Sequence, residues 1–271
     1  MRFQNPPLVE LVVELKWAST GGGQLPVGIP AGRPYPIPPQ PDHNTFISSF
    51  RELAAEAGWS QSERLIPQGL PYMVYQPAMR IQQPGKEDAG VLFQVGPGVF
   101  SVHALRPYKS WESFWPKVQI GIDILLKSRS ETERYTPFFS ANVMYLDVFD
   151  ENLIGDQSVS GFLKDTLGIG LSFPAIILDQ LPRDREIEPQ ISLKIPLRDQ
   201  MEMHLNIGGK VTWGDNRGIL MNTTVANPNG VAADIKAISL VLEQAHQAIR
   251  KTFTGLTQSL HSRMNPVGDS L

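Results

Sequence analysis

A-G-V-L-F-Q-V-G-P-G-V-F-S-V-H-A-L-R-P-Y-K-S-W-E-S-F-W-P-K-V-Q-I-G-I-D-I-L-L-K-S, residues 89–128, changes its hydrophobic period halfway along. Val91, Phe93 and Val95 alternate on one strand, with Gln94 on its other face. Gly96-Pro97-Gly98 reads as a turn, because glycine tolerates positive φ and proline presets its own. Phe100 and Val102 then resume the alternation, opposite Ser101 and His103. From Trp111 the period becomes helical: Trp111, Phe114, Trp115, Val118, Ile122, Leu125 and Leu126 recur at steps of three and four. The stretch predicts a β-hairpin running into an amphipathic helix. Pro116 falls inside that helical pattern, so the helix starts near Ser113 or bends there.

Upstream, Leu8 to Trp17 is a half-buried strand: Val9, Leu11, Val13, Leu15 and Trp17 share one face, and Glu10, Val12, Glu14 and Lys16 the other. Residues 21–41 hold seven prolines and five glycines and form neither a helix nor an inner strand. They read as a long irregular loop, or as a polyproline-like arm over 34–39 that docks on a partner through residues such as Tyr35 and Ile37. A capped helix over 45–58 and a strand over 70–81, interrupted by Pro77, complete the first half.

Downstream, Phe138 to Phe149 is apolar on both faces (Val143, Tyr145 and Phe149; Met144, Leu146 and Val148), which places it near the middle of a sheet. A short helix follows over 158–167. An irregular segment over 168–190 carries the apolar run Phe173 to Leu178. Three strands are expected over 187–197, 201–213 with a kink at Gly208-Gly209, and 218–225. The last and longest helix runs from Val231 to Leu260, and the tail over 262–271 reads as flexible. The order strand, helix, three strands, helix thus occurs twice, over 1–130 and 131–261. The expected fold is α+β: two tandem units forming a largely antiparallel sheet, with the long helices packed on one face.

Twenty-four basic against 27 acidic residues give a net charge of −3, which counts against a general nucleic-acid binder. The absence of cysteine excludes disulfides, thiolate metal sites and cysteine nucleophiles, and fits a reducing cytoplasm. No apolar run approaches the roughly 20 residues needed to span a bilayer. No H-x-H, H-E-x-x-H, G-x-S-x-G or P-loop pattern occurs, so the sequence calls for no metal, no cofactor and no catalytic residue by motif. One constellation stands out. If the helices cover only one sheet face, the other carries Glu10, Glu14, Lys16, Gln94, Ser101, His103, Glu202, His204 and Asn206. That polar face is either plain solvated surface or a platform for a protein or small ligand.

N-P-P-L-V-E (Asn5 to Glu10), F-Q-V-G-P-G-V-F-S-V with Tyr108 and Trp111-Glu112-Ser113-Phe114, and L-E-Q-A-H-Q-A-I-R-K-T-F (Leu242 to Phe253) together resemble a sporadically distributed bacterial family of about this length and no established general function. The resemblance spans nearly the whole chain. It implies an Arg-Tyr-x-Asn in the strand after the first long helix, where this chain has Met144, Tyr145 and Asp147. A patchy distribution implies the accessory genome, with defence or mobile-element systems as its context. The first functional expectation is therefore a non-enzymatic interaction protein, a subunit or adaptor for a protein encoded nearby. Glu10, Glu14, His103, His204, Tyr35 and Ile37 are its candidate contact residues. A second is a small-molecule binder or enzyme with a pocket between sheet and helices, lined by Trp111, Trp115, Tyr145 and Trp213. A third is a nucleic-acid-associated subunit using Lys109, Lys117, Lys127 and Arg129.

Overall fold

The structure, a computed structural model, describes residues 2–19, 35–36, 41–85, 90–182, 185–213 and 216–267. In chain order they form β1 (Arg2–Phe3), β2 (Leu8–Trp17), β3 (Tyr35–Pro36), α1 (Pro41–Glu56), β4 (Gln61–Arg64), β5 (Met73–Val74), β6 (Met79–Gln82), β7 (Val91–Gly96), β8 (Val99–Leu105) and α2 (Trp111–Ser128). The second half continues with β9 (Phe138–Asp150), α3 (Glu151–Ile154), α4 (Val159–Gly161, running into a π-helical turn over Phe162–Thr166), α5 (Ala175–Leu178), β10 (Gln190–Pro196), β11 (Glu202–Trp213) and β12 (Asn216–Asn227). It ends with α6 (Ile235–Leu256), α7 (His261–Met264) and β13 (Pro266–Val267). Among the described residues no helix is long and apolar enough to cross a membrane.

Nine strands make one antiparallel sheet in the order β10-β11-β12-β9-β2-β8-β7-β6-β4. In the first half β2 pairs with β8, and in the second β9 pairs with β12. The two first strands, β2 and β9, pair with each other, so the halves share a single sheet. The alternation read in Leu8–Trp17 decides which face is covered. Leu11, Val13, Leu15 and Trp17 are fully buried against Phe46 and Phe50 of α1, Phe114, Val118 and Ile122 of α2, and Ile238 and Leu242 of α6. A second apolar cluster lies toward the other end of the second half. Phe149, Leu205, Ile207, Ile219 and Met221 of the sheet pack there against Leu153, Phe162, Leu260 and Met264. Phe253 and Leu256 extend α6 onto that cluster.

Local chemistry fixes the helix starts. Ser110 caps α2, its Oγ accepting from the Ser113 N–H at 3.2 Å, so the helix begins at Trp111 and Pro116 lies within it. Asp234 caps α6 through the Lys236 and Ala237 N–H groups, while Val231 stays outside in a bridge to Phe138. The strand expected over 70–81 is split. Tyr75 adopts φ 65° and Pro77 lacks an N–H, so Met73–Val74 pairs with β3 and only Met79–Gln82 joins the main sheet. The edge strand β4, Q-S-E-R, is polar and mostly exposed and carries no alternation to announce it. Of the tail, residues 266–267 pair with β1, Val267 with Arg2 and Pro266 with Phe3, and residues 268–271 lie outside the described residues.

The floor of the first half is held by buried polar contacts. Glu133 accepts from Trp17 Nε1 at 2.7 Å and from Ser19 Oγ at 3.0 Å. Beside it the Arg129 guanidinium stacks over Trp17 and Phe138, at 5.2 and 4.8 Å from the ring centroids. Burial lowers its pKa to about 10 against the opposing pull of Glu133, which leaves it charged at neutral pH.

Two glycines set close approaches. Gly98 takes φ 73° in the β7–β8 turn, against the Tyr75 ring and the Trp17 carbonyl. Gly121 lets α2 settle on the sheet, since a Cβ there would stand 2.8 Å from Phe100 and 2.9 Å from Phe93. Gly121→Val is expected to cost about 1–3 kcal/mol through overpacking, read as a lower urea midpoint at unchanged m-value.

Candidate functional site

The polar sheet face assembles as the alternation requires, but as two clusters rather than one site. At the centre, His103 Nδ1 lies 2.7 Å from Glu10 Oε1, and its Nε2 lies 2.8 Å from Ser101 Oγ. Glu14 pairs with Lys16 at 2.8 Å and accepts from Asn142 Nδ2 at 3.2 Å. Toward the β10 edge, Glu202 pairs with His204 at 2.6 Å and with Lys194 at 2.7 Å. Four strand spacings, about 19 Å, separate the strands of His103 and His204, so the two histidines do not act on one small ligand. Tyr35 belongs to β3, where it pairs with Val74, and Ile37 lies outside the described residues. The basic cluster does not form a patch either. Arg129 is buried, and Lys127 is paired with Asp123 at 2.6 Å.

A concave site with a buried carboxyl lies on the opposite, helix-covered side, where the two apolar clusters meet. In β9 the inward row reads Val143, Tyr145, Asp147, Phe149, opposite Leu11 and Leu8 of β2 and Thr223 and Met221 of β12. This row puts a carboxyl between apolar neighbours. Asp147 is 2% exposed, and its Oδ2 has no hydrogen-bond partner. Above it opens a pocket of about 220 Å³. Its walls come from the first turn of α2 (Trp111, Glu112), the segment before it (Tyr108, Lys109), α6 (His246, Arg250, Phe253) and the N-terminal segment (Phe3, Pro6, Leu8). The N-terminal wall is fastened from outside. Arg106 donates from Nε to the Leu8 carbonyl at 2.7 Å, and from Nη2 to those of Pro7 and Pro6 at 3.0 and 3.3 Å.

The aromatic wall is a stack with a polar backing. The rings of Trp111 and His246 lie 4.1 Å apart and 2° from parallel, and Trp115 stacks on the other side of Trp111 at 5.3 Å. Trp111 Nε1 donates to Glu243 Oε2 at 2.7 Å. The Tyr145 hydroxyl and His246 Nδ1 share a 2.7 Å hydrogen bond. Of the aromatics expected to line a pocket, Trp111 and Tyr145 do. Trp115 backs the stack, and the Trp213 side chain lies outside the described residues. Asp147 and His246 were legible only as positions: period two puts Asp147 inside, and the α6 seam puts His246 beside Ala245 on the buried side.

Burial dominates the electrostatics of the site. It pushes the Asp147 carboxyl up to about 8, against a smaller opposing pull from Arg106. It lowers His246 to about 4, with Glu243 and Glu112 working against that shift and Arg250 adding to it. It raises Tyr145 well above its ordinary value, and the neighbouring Tyr108 and Asp147 add to the effect. At pH 7 the site is therefore mainly a neutral carboxylic acid, a neutral imidazole and a protonated phenol.

Two linkage terms of opposite sign follow. Asp147 binds its proton more tightly folded than unfolded, so its contribution is complete below about pH 4 and is lost as pH rises to about 8. His246 is depressed, so its contribution is complete above about 6.5 and is lost as pH falls toward about 4. The two slopes cancel between about pH 4 and 6.5, and Asp147 alone acts from there to about 8. Because His246 is common to both proteins, the stability gap of Asp147→Asn relative to wild type is expected to move in the variant's favour from about pH 4 to about pH 8, by up to ~1.4 kcal/mol per unit, and to level off above that. Urea denaturation across pH 4 to 9 checks this, and a gap independent of pH contradicts it.

Among the described residues no group of three or more His, Asp or Glu side chains stands close enough to hold a metal ion. No family model matches the chain, and no curated protein matches it.

Proposed function

We propose that the protein binds a small organic ligand in the pocket between the sheet and the two long helices. One observation carries the reading: Asp147, almost fully buried, lines the pocket, and its carboxyl has an oxygen, Oδ2, that no protein group satisfies. Leaving a buried polar atom without a partner costs about 1–3 kcal/mol, so a carboxyl left this way at the wall of a pocket calls for a group from outside the protein. The aromatic walls supply apolar contact area around it, which is the usual make-up of a ligand site. At about 220 Å³ the pocket holds roughly seven water-sized volumes, below the ~300 Å³ at which drug-sized sites begin.

The groups present favour binding over catalysis. His246 is a weak base whose Nδ1 is engaged by Tyr145, and Ser110 is engaged as the helix cap. Thr254 stands at the pocket wall on α6, where a bulky side chain obstructs the pocket without entering the core. Wild-type protein incubated with the small-molecule fraction of a cell extract, then desalted, is expected to retain a ligand mass in native mass spectrometry, and Thr254→Trp to retain none. Equal retention by both, or none by either, contradicts the reading.

A second reading, a protein-interaction subunit of a bacterial accessory system, draws on a different surface. Leu171, Ile176, Ile177 and Leu178 are 43%, 66%, 45% and 48% exposed, and no residue of α5 is buried. Ile176→Ser with Leu178→Ser is expected to leave thermal unfolding unchanged and to abolish co-purification with a protein encoded nearby. Retained co-purification removes α5 from that reading.

A further inference from the structure

We infer that the pocket selects a protonated amine, held by N–H donation to the Asp147 carboxylate and packed against the rings of Tyr108 and Tyr145. The inference rests on the ligand-binding reading above and adds the chemical class of the ligand. Its main support is what the neighbouring cations do. Arg106 comes near enough to Asp147 to ease its ionisation, yet its Nε and Nη2 point at the carbonyls of Leu8, Pro7 and Pro6. The carboxylate therefore lacks a hydrogen-bonded counter-charge, and its Oδ2 faces no donor of the protein.

The remaining groups fit a cation at that depth. The π faces of tryptophan and tyrosine attract cations, most strongly where water is excluded. Trp111 is stacked between His246 and Trp115, so it braces the wall and the rings left to meet a cation are those of Tyr108 and Tyr145. His246 brings no repulsion, since it stays neutral at physiological pH, and Tyr145 beside it stays protonated. Charged groups on the pocket wall are mixed. Lys109 and Arg250 are exposed, and Glu112 at the start of α2, also exposed, offsets them in part. Exposed charges of both signs are screened within about 8–10 Å at physiological salt, so they do not decide the sign of what sits at the floor. Arg250 gives any acidic group at the other end of the ligand a place outside the aromatic wall.

An amine that enters must ionise Asp147, which is mainly protonated at pH 7, so binding releases a proton. Benzylamine, benzyl alcohol and benzoate test this, because they share a ring and differ in the charge of one substituent. By isothermal titration calorimetry at pH 7, benzylamine is expected to bind at least tenfold more tightly than benzyl alcohol, and benzoate more weakly than either. Repeating the benzylamine titration in two buffers of different ionisation enthalpy is expected to show net proton release to the buffer. Asp147→Asn, a near-isosteric change, is expected to keep cooperative unfolding and to erase both the amine preference and the proton release. Equal or tighter binding of the alcohol or benzoate overturns the amine inference and leaves the ligand-binding reading standing. So does an amine preference that survives in Asp147→Asn. If none of the three binds, the amine inference falls, and retention of an extract ligand decides the broader reading separately.

Discussion

The backbone pairing of β2 with β9 is the constraint on which the rest depends. Leu8–Trp17 and Phe138–Asp150 lie antiparallel at the middle of a nine-stranded sheet, with four strands outward from one and three from the other. Each of these two strands also pairs with another strand of its own half, β2 with β8 and β9 with β12, so its backbone groups are engaged alternately on both sides. Register is then tightly specified. A slip of one residue turns Leu11, Val13 and Leu15 to the polar face and Glu10 and Glu14 into the core. The long helices follow from this choice, because only one face offers an unbroken apolar surface.

The same seam explains why a pocket exists. Helices α2 and α6 cover the sheet over the first cluster, and the short helices and the end of α6 cover it over the second. Between them the inward row of β9 supplies Tyr145, which packs on the edge of the first cluster, and Asp147, whose carboxyl interrupts the apolar layer. The site is thus a polar interruption in a continuous apolar layer. It is built from residues within 108–112, 145–147 and 246–254 together with the N-terminal segment, which only the finished sheet brings together. Its acidity is a product of that setting. The same carboxyl on the solvent face of β9 would ionise like any other aspartate.

Much of the fold was legible because its signals are periodic. The hairpin of residues 91–105, the central position of β9, the kink at Gly208-Gly209 and the seam of α6 all announce themselves by alternation, by apolar character on both faces, by paired glycines or by steps of three and four. What escaped has no period. β4 is four polar residues whose pairing is set by its neighbour β6, and the β1–β13 contact joins segments 264 residues apart. The polar sheet face was read correctly as a face, but a sequence cannot show that its histidines and carboxylates satisfy one another. The converse held for the pocket. Asp147 sits in a strand that reads as apolar on both faces, and its isolation from any partner appears only when the elements around it are placed.

The β1–β13 contact gives the molecule a mechanical weak point at a defined place. Arg2 faces Val267 and Phe3 faces Pro266, so a force that draws the two segments apart loads their bonds one after another, like a zipper, rather than all at once in shear. The nine-stranded sheet resists at the same moment with far more bonds. Tension of this kind would peel Phe3 away from Phe253 and His261, which it touches at centroid distances of 6.4 and 5.0 Å, and so unroof one side of the pocket while the seam stays intact. Any polypeptide joined to both segments would leave the surface from one point beside that wall, and its stiffness would bear on the pocket directly.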